Sequence, residues 1–253
     1  MPETPETPET QTRDVDHRRM KAALLAVAAL LFAAAPLAVP FQGFDPELFP
    51  IPQDDPPVQP AGYAFAIWGP IYLWLLVSAG VGLVRRAEAP DWDAPRWPLI
   101  GSLVIGAAWL GIAQASAIWA TVLIWAMLLL ALMALFRTPA RDPWLLRGPV
   151  ALYAGWLTAA SWVSVGLLGA GYGIGPGATG WAILALVGAL ATAVTVQLRI
   201  GRAPFYGAAA IWALIGVAVA NTGTASGVAL LAAAGALAMV AATLRGLRGT
   251  GAE

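Results

Sequence analysis

The chain has 253 residues, 59% of them hydrophobic and 11% charged, with zero net charge, no cysteine and one histidine. Charge so far below the ~25% of soluble domains marks an integral membrane protein, and continuous apolar runs without strand alternation make the spans helices. The same counts exclude disulfides, thiolate nucleophiles and iron–sulfur clusters, and no basic patch is dense enough for nucleic acid.

Residues 1–19 hold three Pro-Glu-Thr copies and further acidic residues, and are expected to form a disordered N-terminal tail. A basic flank, Arg18-Arg19-Met20-Lys21, leads into a first span at about residues 22–39. A cleaved signal peptide is the competing reading of that run, and its length and leader favour a retained helix. Residues 40–61 carry seven prolines and the acids Asp45, Glu47, Asp54 and Asp55, with no lysine or arginine. This stiff loop, with Phe41, Phe44, Leu48 and Phe49 as apolar handles, is either a lid over the bundle or a solvated spacer.

The second span, about 62–84, opens on the densest aromatic segment. At about 100° per residue, Phe65, Trp68 and Tyr72 share one face, opposite Tyr63, Pro70 and Trp74. Pro70 has no N–H and is expected to kink the helix. The aromatic stripe is a candidate ligand wall, against the plainer reading of an interfacial aromatic belt.

Six more spans follow at about 99–117, 120–136, 148–170, 178–198, 205–221 and 227–244. That makes an all-α, polytopic bundle of about eight transmembrane helices. Spans three and four are expected to join in a tight hairpin near Ile118-Trp119. All 14 Lys and Arg residues then fall on one side, so both termini are expected to be cytoplasmic, in a bacterial-type inner membrane. Trp92, Trp97 and Trp144, in loops on that side, read as interfacial anchors.

No Asp, Glu, Lys, Arg or His lies within a span so drawn. Ion-coupled transport, acid–base catalysis and metal catalysis in the bilayer therefore lack reagents, and neither a catalytic nor a metal-binding residue is assigned. His17 lies outside every span, which removes a buried histidine ligand for haem. Aromatic rings and weak polar groups remain: Trp109, Gln114, Tyr153, Trp156, Thr158, Ser161, Ser164 and Asn221. Tyr153, Trp156 and Ser164 share a face of the fifth span. Aromatic walls with a few hydroxyls suit a flat apolar ligand of the tetrapyrrole, sterol or carotenoid class. A carboxylate-bearing porphyrin could set its acids at the arginine-rich side or the loop side.

At three places the chain resembles the TspO/MBR family, the tryptophan-rich sensory proteins related to the translocator protein. Pro56-Pro57, then Pro60-Ala-Gly-Tyr-Ala-Phe-Ala-Ile-Trp-Gly-Pro-Ile-Tyr72, looks like the family's proline-rich first loop entering an aromatic second helix. Ala108-Trp109 through Trp119 is similar to its third helix, and Pro149 through Trp162 to its fifth. The resemblance implies a five-helix core over residues 20–170, with three additional helices over 171–247 and a C-terminal tail from 248 to 253. It departs from the family in those extra helices, in a Phe65–Trp68 spacing one residue short, and in having Gln114 nearest the family's third-helix asparagine. It implies a sensory or transport-related protein that binds a porphyrin or another apolar ligand and requires no cofactor, porphyrin or haem being ligand only. Tyr63, Phe65, Trp68, Tyr72, Trp109, Gln114, Tyr153, Trp156 and Ser164 are the candidate ligand-binding residues. Expected partners are membrane lipid and that apolar molecule, with a homodimer left open. A permease for a small apolar metabolite and a non-catalytic structural subunit are the alternatives. Tyr153–Val165 and Tyr206–Val217 hint at repetition, too faintly to support an inverted repeat.

Overall fold

The computed structural model describes residues 8–39, 43–140 and 142–248, with side chains from residue 13 onward. The first two Pro-Glu-Thr copies, Pro40, Phe41, Arg141 and residues 249–253 lie outside the described residues. Eight long helices account for most of the chain, and no strand occurs among the described residues. They are α1 Pro8–Ala38, α2 Trp68–Val84, α3 Arg96–Ala115, α4 Ala117–Phe136, α5 Gly148–Gly171, α6 Gly177–Ile200, α7 Pro204–Ala220 and α8 Ser226–Arg248. Seven of these segments are long and apolar enough to cross a membrane. The eighth, α7, is apolar with 17 residues, the lower end of a spanning length. The chain is an integral membrane protein.

Local chemistry explains several helix limits. Ser116 is extended, and its side chain caps α4 by accepting from Trp119 N at 3.3 Å. The hairpin between α3 and α4 therefore turns on Ser116, not on Ile118-Trp119. Residues Gly62–Ile67 form a 3₁₀ turn, and α2 begins only at Trp68. Pro70 then sits in the first turn of α2, where its missing N–H needs no partner, so the expected kink does not arise. Residues 8–19, expected as part of a disordered tail, continue α1. Arg19 pairs with Glu88, Lys21 Nζ lies 2.7 Å from Asp93 Oδ2, and these ties hold that end of the helix in place.

The helices pack as two rings that share α5. One ring runs α1, α2, α5, α4, α3 and back to α1. The other runs α5, α6, α8, α7 and back to α5, with α6 and α7 barely touching across it. Helix α5 is buried nearly all round, 18 of its 24 residues, as a helix between two rings must be. A Cβ at its Gly155 would collide with the Tyr206 carbonyl and lie 2.9 Å from Ala209 Cβ. Glycine there lets α5 and α7 approach backbone to backbone.

The two ends of the bundle are closed differently. At the arginine-rich end, Arg96 is 1% exposed. Its guanidinium donates to the carbonyls of Arg86 at 2.7 Å, Arg18 at 2.9 Å and Ala87 at 2.9 Å, and to Asp93 Oδ1 at 3.3 Å. This fork joins α1, the 85–95 connection and α3. Trp92, expected as an interfacial anchor, is buried and donates to Asp142 Oδ2 at 2.7 Å. Trp97 and Trp144 are exposed, as an anchor requires. At the opposite end the loop folds back over the bundle. Ile51 N donates to Gly171 O at 2.9 Å, Ala61 N to Gly216 O at 3.0 Å, and Asn221 Nδ2 to Pro57 O at 2.8 Å. Phe49 and Val58 are buried beneath it, against Gly171 and Gly166.

Candidate functional site

Two cavities adjoin α5. The first chamber, ≈180 Å³, lies in the five-helix ring. Phe32 and Pro36 of α1, Phe65, Trp68 and Tyr72, Gly106 and Trp109 of α3, and Ile124 of α4 form its walls. Because Gly62–Ile67 is a 3₁₀ turn with about three residues per turn, Phe65 and Trp68 align along one edge. The Trp68 and Tyr72 rings stack at 5.4 Å with only 16° between their planes. Phe32 meets them edge-on, at 6.0 Å from Trp68 and 5.0 Å from Tyr72. A Cβ at Gly106 would lie 2.9 Å from Met127 Cε and crowd the Phe32 ring, so glycine there makes room for the aromatic wall.

The second chamber, ≈80 Å³, lies between α5, α6, α7 and the loop. Its walls are mostly small or aliphatic, with Ala185, Ala189 and Ala193 on α6 and Ala210 and Ala213 on α7. Phe65, Trp109 and Ile124 line both chambers and form the partition. Trp156 stands on the second-chamber side, edge-on to Phe65 at 5.9 Å and to Trp68 at 6.1 Å.

Of the nine candidate residues, Phe65, Trp68, Tyr72 and Trp109 line the first chamber, and Phe65, Trp109, Trp156 and Ser164 line the second. Three lie elsewhere. Tyr153 is fully buried beside the first chamber, its hydroxyl 2.9 Å from Ser102 Oγ and its ring edge-on to Phe32 at 5.5 Å. Tyr63 is half-exposed against Trp212, on the outside of the bundle. Gln114 is exposed in the last turn of α3, away from both cavities. Reading single residues missed Phe32 and Pro36, because nothing local says which face of α1 turns inward. It also missed the α6 wall, although Ala185, Ala189 and Ala193 recur at four-residue spacing, the signature of a close-packed small-residue face.

No Asp, Glu, Lys, Arg or His lines either chamber. No group of three His, Cys, Asp or Glu residues that could hold a metal occurs among the described residues. The polar groups are mostly engaged. Trp109 Nε1 donates to Ala120 O at 2.8 Å, Thr158 Oγ1 to Ala154 O at 2.9 Å, and Ser164 Oγ to Ala160 O at 3.0 Å. Trp156 differs: it is 2% exposed, and its Nε1 is buried with no hydrogen-bond partner. The arrangement can meet a neutral apolar molecule by ring contact, with the Trp156 N–H as a buried free donor.

The family model described as TSPO-like protein covers residues 51–245. It starts in the loop ahead of α2 and ends in α8, so it takes in both chambers' α5 walls and extends beyond the 20–170 stretch that carries the sequence resemblance. No curated protein and no solved structure matches the chain.

Proposed function

Because this chain belongs to the TSPO-like protein family, we propose that it is a sensory-type, non-catalytic membrane protein that binds a flat apolar molecule of the porphyrin, sterol or carotenoid class in the first chamber. The observation that carries this reading is the stacked Trp68–Tyr72 pair, two nearly parallel rings walling a cavity without charged groups. A planar ligand laid on that face would gain stacking in addition to apolar burial. The chamber's ≈180 Å³ is below the ~300–1,000 Å³ of pockets that enclose drug-sized ligands, so a tetrapyrrole would seat one edge and keep the rest outside. In this reading the protein lies in a bacterial-type inner membrane with both termini cytoplasmic. The support is that all 14 Lys and Arg residues fall on one side of the spans.

The test is a titration of detergent-purified protein with protoporphyrin IX, followed by tryptophan fluorescence. Wild type is expected to show saturable quenching. Trp68→Leu/Tyr72→Leu removes the stacking face and is expected to weaken binding by roughly tenfold or more. Non-saturable quenching, equal in both proteins, would mean partition into detergent and would defeat the reading.

A further inference from the structure

We infer that the chamber enclosed by α5, α6 and α7 is a second binding site, for a small neutral molecule that is apolar except for one hydrogen-bond acceptor, such as a ketone or an ester, held by the Trp156 indole N–H. This goes beyond the porphyrin-type site and does not depend on it.

The buried indoles are unevenly satisfied. Trp92, Trp109, Trp162 and Trp212 each donate to a protein oxygen. Trp156 is buried as deeply as Trp92, yet its Nε1 has no partner. A buried donor left unpaired costs free energy, and one that persists calls for an acceptor from outside the chain. The cavity that Trp156 lines says what kind. At ≈80 Å³ it has room for more than a water molecule. A stable internal water needs two to four polar partners, and few of the groups that line this chamber are free to serve. Its hydroxyls, Thr158 and Ser164, are already bonded to backbone carbonyls of α5. Gln59 stands in the loop wall of the chamber, half-buried. The remaining surface is alanine, leucine, valine and aromatic ring, with Gly43, Pro60 and Ile124. One fully buried donor in a shell that is apolar except for Gln59 at its loop edge selects against ions, and favours an apolar body with one acceptor.

The architecture separates this site from the first. Phe65, Trp109 and Ile124 stand between the chambers, and the walls on α6 and α7 belong to the second alone.

The test uses two probes of nearly the same shape, acetophenone, which has a carbonyl, and ethylbenzene, which has none. Indole N–H resonances of ¹⁵N-tryptophan-labelled protein in micelles are the readout, with the Trp156 signal identified by its loss in Trp156→Phe. Acetophenone is expected to move the Trp156 signal downfield to saturation. Ethylbenzene is expected to move Trp162, which also lines the chamber, without the downfield shift at Trp156. Trp156→Phe should weaken acetophenone about fivefold, read at Trp162, and leave ethylbenzene within about twofold. Ala213→Phe fills the cavity from α7 and should abolish both responses. Ala189→Met, a more adaptable filling from α6, should do the same if the first variant does not fold. A Trp156 signal that drifts linearly with either probe, or shifts equally in the filled variants, would overturn the inference. Equal downfield shifts from the two probes would overturn the hydrogen bond that defines it.

Discussion

Replacing Asn221 with alanine cuts the tie between the end of α7 and the 43–61 loop. Asn221 is 1% exposed, and its Nδ2 lies 2.8 Å from Pro57 O and 2.8 Å from Val217 O. Truncation leaves the half-buried Pro57 carbonyl without its donor, a loss of about 1–3 kcal/mol. Two backbone bonds then remain between loop and helix ends, Ile51 N to Gly171 O and Ala61 N to Gly216 O. With the loop opening as one unit, that loss raises its open population by about 5- to 150-fold. The amides of Ile51 and Ala61 report the opening directly through hydrogen exchange. In Asn221→Ala their exchange should accelerate by that factor, while Leu157 in the middle of α5 exchanges as in wild type. Unchanged exchange at Ile51 and Ala61 would refute the argument that these bonds hold one cooperative cover. Equal acceleration at Leu157 would locate the damage in the bundle.

Three further outcomes follow from the packing. Arg96→Met removes a fully buried fork that satisfies three carbonyls and Asp93, and should destabilise the protein by about 3–5 kcal/mol, read as a lower Tm in detergent. Arg96→Lys should recover only part of this, because a single ammonium cannot reach all four acceptors. Gly155→Ala should cost about 1–3 kcal/mol by forcing α5 away from α7, whereas Gly80→Ala, with open space around the new Cβ, should leave Tm unchanged or raise it slightly.

The helices were legible because bilayer physics writes them as long apolar runs, and because the arginines mark every second connection between them. Their boundaries were less so. Ser116 starts α4 by capping it with its own side chain, a local signal readable in principle from a serine between two apolar stretches. The 3₁₀ turn at Gly62–Ile67 was not readable, since it is imposed by the loop and by Trp212 Nε1, which donates to Ala64 O at 2.8 Å from 148 residues away. The same long range hides Trp92, whose partner Asp142 lies 50 residues on. The aromatic stripe was visible as a spacing, and Phe65, Trp68 and Tyr72 do meet around one cavity. That Tyr63 and Gln114 lie outside both cavities was not legible, because composition tells a ring or an amide from an aliphatic group but not inside from outside when both faces of a helix are apolar. The second chamber was invisible for the converse reason: its walls are alanines, which read as packing until the second ring is assembled.

The most direct measurement is a structure of the protein bound to protoporphyrin IX. The macrocycle should lie parallel to the Trp68 and Tyr72 rings, with one edge inside the first chamber near Phe32. Density for the ligand only on the outer surface, with the Trp68–Tyr72 face bare, would contradict this placement.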